Sequence, residues 1–216
     1  MTDWIKRWQE GKIGWHKKLP NSKLIEFITC LKLCKNSTIF VPLCGKSVDM
    51  LYLLEKGYRI IGVELSELAA EQFFKENELE YSIKKTDQFI IYYAPNIQIY
   101  CGDFFDLNAH DLKAVSAVYD RAALIALPAD LRQEYTQHLY SIIQAGCRVL
   151  LLTLNYPQSQ ISGPPFAVNQ AQVLSLYKNG FDCQLLQCFN DLENEPKFQR
   201  ANVDFIEKAT YCLHKK

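Results

Sequence analysis

The chain has 216 residues, 49% of them hydrophobic, with 24 Lys and Arg balanced by 24 Asp and Glu. That length supports a hydrophobic core without a disulfide or metal staple, and a net charge of zero argues against a dedicated nucleic-acid binder, which carries a basic excess. No run reaches the ~18 apolar residues of a spanning helix, and Asp3, Lys6, Arg7 and Glu10 interrupt any apolar leader, so a cytoplasmic protein is expected.

Residues 1–20 are polar and irregular in pattern, yet hold all three tryptophans, Trp4, Trp8 and Trp15. From Asn21, Leu24, Phe27, Ile28 and Leu31 recur at helical spacing. Ser37–Val41 is a short apolar strand ending at Pro42. A helix follows over Ser47–Lys56 and stops at Gly57. Tyr58–Leu65 is a second strand, and Ser66 caps a helix carrying Ala70, Phe73 and Phe74. Two β-rich runs, Phe89–Tyr93 and Ile97–Cys101, flank a turn at Pro95-Asn96. Ala114–Tyr119 is a strand ending at Asp120-Arg121. The next helix shows Leu131, Tyr135, His138, Leu139 and Ile142 on one face, and Gly146 precedes the strand Cys147–Leu154. Beyond a Pro/Gly loop, Asn169 and Gln172 form a capping box for a helix that ends at Gly180. The runs Phe181–Phe189 and Val203–Leu213 pair antiparallel.

This alternation predicts an α/β fold: a mostly parallel sheet with helices on both faces and an antiparallel C-terminal hairpin. One domain over 1–216 is expected, with 1–20 as a lid. The eight cysteines include no C-x-x-C pair and do not cluster with histidines, so buried free thiols are expected ahead of a disulfide framework or a zinc site.

In open α/β sheets ligands bind beyond the carboxyl ends of the strands. After the first strand, Pro42-Leu43-Cys44-Gly45-Lys46-Ser47 opens a helix. A P-loop would need glycine where Phe40 stands, and no G-x-G-x-x-G is present. With one glycine the turn does not bring its backbone close to a pyrophosphate. Glu64 lies 19 residues after Gly45, near the ~20-residue spacing at which a carboxylate grips ribose hydroxyls in a βαβ unit. Ribose without pyrophosphate points to S-adenosylmethionine rather than NAD or ATP. Cys101-Gly102-Asp103-Phe104-Phe105 offers a carboxylate for an adenine amino group with an aromatic beside it. Asp120-Arg121 places opposite charges at a further strand end. The tryptophan-rich head suits a sulfonium, which aromatic faces attract while excluding water.

The strings RWQEGKIGWH, FVPLCGKSVDML, GVELSE, YCGDFFDL, YDRAALIALP and GPPFAV resemble, in order from about Trp4 to Val168, those of the thiopurine S-methyltransferase family, particularly its bacterial members. The resemblance implies a class I methyltransferase fold (Rossmann-like) of seven strands with S-adenosylmethionine as methyl donor. Carried over by position, it implies that Trp8, Leu43, Glu64 and Arg121 contact the cofactor. It further implies that Asp103 and Phe104 flank the adenine and that Trp15, where the family usually has phenylalanine, faces the substrate.

The chemistry expected is an in-line displacement by a thiolate sulfur on the methyl of a sulfonium. Both charges vanish as the bond forms, so a dry site with positioned reactants favours it. Aromatic and heterocyclic thiols ionise near neutral pH, so no dedicated general base is required; Arg121 is the catalytic candidate, drawing in the anionic acceptor. The residues leave three rivals: an acceptor that is an oxyanion or a selenium or tellurium species, a nicotinamide-dependent oxidoreductase, and a non-catalytic S-adenosylmethionine-binding protein. The expected partner is a small-molecule thiol, with no nucleic acid, membrane or metal, and the chain is expected to be a monomer.

Overall fold

A computed structural model describes residues 3–216. The elements in chain order are α1 (Trp4–Gln9), α2 (Ser22–Phe27), β1 (Thr38–Val41), α3 (Asp49–Glu55), β2 (Arg59–Glu64), α4 (Glu67–Glu76), β3 (Ser82–Lys85), β4 (Ile90–Ala94) and β5 (Ile97–Cys101). They continue with β6 (Val115–Arg121), α5 (Ala129–Ile142), β7 (Arg148–Asn155), α6 (Gln170–Tyr177), β8 (Phe181–Asn190), α7 (Pro196–Arg200) and β9 (Glu207–Lys215). The strands form one sheet in the order β3-β4-β5-β2-β1-β6-β7-β9-β8.

The five central strands β5, β2, β1, β6 and β7 are parallel. All of β1 and all but the first residue of β2 are buried, as expected where helices cover both faces. Alternate residues divide between two cores. Phe40, Val118, Val149 and Leu151 meet Tyr135, Leu139 and Tyr177 on one face. Ile39, Val41, Ala117 and Leu150 meet Met50, Leu53, Phe73 and Phe74 on the other. That is the two-residue period of a strand. Phe40 is fully buried, and its replacement by alanine would cost about 3–5 kcal/mol in lost transfer energy and cavity formation.

The sheet has nine strands rather than seven. The seven that the resemblance implies run from β5 to β8; β4, the run expected at Phe89–Tyr93, and β3, which matches no expected run, add an antiparallel hairpin beyond β5. Asn96 takes a positive φ of 64° in the turn that folds β4 back onto β5. Every residue of β3 is exposed, so no apolar alternation marks it. The C-terminal antiparallel strands β8 and β9 are present, with β9 also pairing β7. β9 begins at Glu207 because Val203 and Ile206 are taken into a small cluster with Tyr156 and Phe198.

Two local expectations change. The helix expected from Asn21 is α2 followed by a tighter 3-10 turn over Ile28–Leu31, which ends at Lys32 in the left-handed region. The tryptophan-rich head is not irregular throughout. Asp3 accepts a hydrogen bond from the Lys6 N–H and caps α1, which carries Trp4 and Trp8. Residues 1 and 2 of the expected lid lie outside the described residues. The capping box at Asn169 and Gln172 and the Ser66 cap form as expected.

Candidate active site

The carboxyl ends of β1, β2, β5 and β6 lie side by side along one edge of the sheet. Between β1 and α3 the chain turns through Leu43 and Gly45, both at positive φ (46° and 53°). Leu43 tolerates this conformation at a cost that glycine does not incur. The turn is pinned from below by the Cys44 N–H, which donates to the Val63 carbonyl oxygen at 2.9 Å.

Glu64, at the end of β2, is 7% exposed. Its Oε2 accepts the Gly45 N–H at 2.8 Å, and its Oε1 accepts the Ser66 N–H at 2.8 Å. One carboxylate therefore ties the β1 turn to the start of α4. Burial pushes its pKa up, opposed by the amides of Ser66, Gly45 and Leu65. Next to it, Gly62 has no room for a side chain: an added Cβ would lie 2.7 Å from Cys44 Sγ. The Gly102 N–H donates to the Glu64 carbonyl oxygen at 3.0 Å, which brings the end of β5 against the same point.

The head of the chain closes over this turn. Trp8 is 5% exposed, and a Cβ on Gly45 would stand 3.1 Å from its ring. Trp15 meets Trp8 edge to face at 5.7 Å and Trp4 at 5.2 Å between ring centres. The Arg7 guanidinium lies 5.6 Å from the Trp4 ring centre and 5.3 Å from that of Trp15.

Arg121 is the last residue of β6, which runs two residues beyond the end expected at Tyr119. Its Nη2 donates to the Trp15 carbonyl oxygen and its Nη1 to Asp49 Oδ2, both at 3.4 Å. Asp49 is fully buried. It also accepts from the Asn21 N–H at 2.7 Å and the Tyr119 hydroxyl at 3.0 Å. It thus holds the arginine, the strand and the start of α2 together. Asp49 is a site residue that sequence reading missed, because an aspartate in the first turn of a helix reads as an ordinary dipole partner. His16 sits in the same neighbourhood; burial lowers its pKa, with Lys46 and Arg121 adding to the effect and Glu76 opposing it. Lys46 itself is committed to α4, 3.0 Å from Gln72 Oε1 and 2.6 Å from Glu76 Oε1.

Asp103 is exposed and accepts the Phe105 N–H at 3.0 Å. Phe104 turns its ring into the core, 4.9 Å from Tyr135 and 5.1 Å from His138 between centres, while Phe105 is the exposed aromatic beside Asp103. The structure therefore gathers Trp8, Leu43, Glu64, Trp15 and Arg121 at one place, with Asp103 at the adjoining strand end and the Phe104 ring facing away. All eight cysteines are free. Among the described residues no group of His, Cys, Asp and Glu could hold a metal ion, and no helix is long and apolar enough to cross a membrane.

The residue set fits S-adenosylmethionine. A buried carboxylate that keeps acceptor capacity beyond its backbone partners suits a ribose diol, the one-glycine turn suits a ligand without phosphates, and indole faces suit a sulfonium.

Comparison with known proteins agrees. Among solved structures, geranyl diphosphate C-methyltransferase from Streptomyces coelicolor, in complex with Mg2+, geranyl diphosphate and S-adenosyl-L-homocysteine, superposes with a TM-score of 0.66 at 12% identity over 90% of this chain and 77% of that one. This is a likeness of fold, that of the class I methyltransferases. By sequence, the thiopurine S-methyltransferase of Nitrosospira multiformis is 42% identical over 210 residues, covering 97% of this chain and 96% of that protein. The probable thiopurine S-methyltransferase of Yarrowia lipolytica is 43% identical over 208 residues, 95% of this chain and 96% of its own. The profile of the family described as thiopurine S-methyltransferase (TPMT) matches residues 1–216, and the chain belongs to that family.

Proposed function

We infer that the chain is an S-adenosylmethionine-dependent enzyme that methylates the sulfur of aromatic or heterocyclic thiols, and that the edge formed by β1, β2, β5 and β6 is its active site. In this reading Glu64 accepts the ribose hydroxyls, and Leu43 and Trp8 enclose the rest of the cofactor. Asp103 receives the adenine amino group, with Phe104 flanking the ring through its backbone. Bound there, S-adenosylmethionine supplies an electrophilic methyl group that passes to a thiolate sulfur. Arg121, held by Asp49 and by the Trp15 carbonyl, draws in the anionic acceptor and neutralises its charge until transfer. Trp15 forms the acceptor's aromatic wall, and the three tryptophans exclude water from a reaction whose charges disappear. No side chain has to remove a proton, because such thiols arrive ionised.

The observation that carries this reading is the buried Glu64 carboxylate, which joins the β1 turn to α4 while keeping acceptor capacity. We read the enzyme as a cytoplasmic monomer acting on small molecules, without nucleic-acid or membrane partners. The test is a methyl-transfer assay over thiols, selenols and inorganic oxyanions, with S-adenosylhomocysteine and NAD binding measured by calorimetry. Turnover of aromatic thiols, with S-adenosylhomocysteine bound and NAD not, supports it. Binding of S-adenosylhomocysteine without turnover of any thiol, or turnover of oxyanions alone, overturns it.

A further inference from the structure

Beside the loop that carries Pro164, Pro165 and Phe166 lies a recess of about 340 Å³ that shares no lining residue with the active site described above. Pro128, Ala129 and Arg132, at the start of α5, form one wall; Tyr156, Gln158 and Phe166 form another. The loop beside the recess is held by hydrogen bonds. The Phe166 N–H donates to the Ile125 carbonyl oxygen at 2.7 Å, the Ala167 N–H to Gln158 Oε1 at 2.8 Å, and the Tyr156 hydroxyl to the Pro165 carbonyl oxygen at 2.6 Å.

Arg132 is the charge in this lining, and it is only 4% exposed. Its Nε donates to the Leu127 carbonyl oxygen at 3.0 Å, and its guanidinium carbon stands 5.9 Å from the Phe166 ring centre. Among the described residues its terminal nitrogens have no acceptor and no carboxylate within ion-pair distance. Nor are they among the side-chain atoms sealed from solvent without a partner, which are His138 Nε2, Thr153 Oγ1, Tyr177 Oη and Gln187 Oε1. Solvent therefore reaches them, and Arg132 is one of the residues that line the recess. A buried cation without a counter-ion is costly, and the cost falls when an anion pairs with it. Burial lowers the arginine's pKa, yet an arginine remains charged in a protein.

A second feature favours an anion at the same place. The 14-residue helix α5 is preceded by Pro128, which supplies no side-chain cap. The Leu131 N–H donates to the Pro128 carbonyl oxygen at 3.1 Å, so the Ala129 and Asp130 N–H groups are the ones left for an outside acceptor. Asp130, in that turn, does not line the recess. The remaining walls mix carbon, from Pro128, Ala129, Tyr156, Phe166 and Ala167, with the amide side chains of Asn155, Gln158, Asn169 and Gln172. The rings of Tyr156 and Phe166 offer a flat organic body a surface that a bare inorganic oxyanion does not use, and a guanidinium fork matches a planar carboxylate.

We propose that this recess is a second ligand site, for a small organic carboxylate whose two oxygens meet the Arg132 guanidinium while its body lies against Phe166 and Tyr156. The full chain, labelled with 15N and saturated with S-adenosylhomocysteine, is titrated with benzoate, acetate and inorganic phosphate. Benzoate is expected to shift the backbone amides of Ala129 to Arg132 with a dissociation constant of about 1 mM, in line with its few heavy atoms, and acetate and phosphate are expected to bind more weakly. Arg132→Lys keeps the charge and loses the fork, and is expected to weaken benzoate roughly tenfold. Ala129→Asp, at an exposed first-turn position that favours a carboxylate, leaves the fold intact, occupies the recess with its own anion and is expected to abolish the shifts. Shifts confined to the indoles of Trp8 and Trp15 overturn the proposal. So do phosphate binding as tight as benzoate, no saturable shift at all, or an Ala129→Asp protein that binds benzoate unchanged.

Discussion

Replacing Glu64 by glutamine tests the cofactor site most directly. The native carboxylate accepts two backbone N–H groups, one per oxygen, at 2.8 Å each. Glutamine has one acceptor oxygen, so either Gly45 or Ser66 loses its partner and faces an NH2 donor instead. Leaving one buried donor unsatisfied costs about 1–3 kcal/mol of folding stability. Cofactor binding loses a charged acceptor for the ribose diol, worth about 1.5–3 kcal/mol, which is roughly a 10- to 100-fold rise in the dissociation constant of S-adenosylhomocysteine. The two effects separate experimentally: urea denaturation reads the first, and calorimetry on protein shown to be folded reads the second. Glu64→Asp, which keeps the charge on a shorter arm, is expected to fall between wild type and glutamine in affinity. A Glu64→Gln protein that is folded and binds S-adenosylhomocysteine within twofold of wild type would refute the assignment, since the carboxylate would then serve only the turn.

Deleting residues 1–15 removes Trp8 from its place over Gly45, and is expected to leave a folded protein with most methyl transfer lost; full turnover by the truncated chain would sink the lid. Because Trp4, Trp8 and Trp15 are the only tryptophans, S-adenosylhomocysteine is also expected to shift the intrinsic fluorescence of the intact chain. Asp120, fully buried beside Tyr135, has its pKa raised to about 6 by burial, with the Tyr135 hydroxyl and the Leu124 and Ala123 amides opposing. A raised carboxyl pKa means that the protonated form stabilises the fold, an effect present in full below the unfolded value of 3.8 and lost as pH rises through about 6. Unfolding free energies measured across that window are therefore expected to fall with pH in the wild type and to lose that slope in Asp120→Asn; parallel curves would disprove it. Gly62→Ala places a Cβ 2.7 Å from Cys44 Sγ and is expected to cost about 1–3 kcal/mol by overpacking, partly recovered in the double variant with Cys44→Ala. Strict additivity in that cycle would count against the contact.

Much of the architecture is written in local pattern. The continuous apolar runs of β1, β2 and β7, the caps at Ser66 and Asn169, and the breaks at Gly57 and Gly146 all mark elements the structure contains, because burial on both faces and helix termination are local demands on residue type. The spacing of Glu64 from Gly45 was equally legible, since a βαβ unit has a nearly fixed length, and the two residues do meet. Other features had no local signal. β3 pairs through its backbone with every side chain exposed, so nothing in its composition distinguishes it from a loop. Phe104 and Phe105 are adjacent aromatics, and only the packing of α5 decides that the first ring enters the core. Asp49 gathers Asn21, Tyr119 and Arg121 from 28 to 72 residues away. Arg132 reads in sequence as one more charge on a helix, yet is enclosed by a loop that follows β7. Periodicity reports which face of an element is buried. Which side chain meets which across the sheet edge depends on how several elements pack at once, and only the tertiary structure decides that.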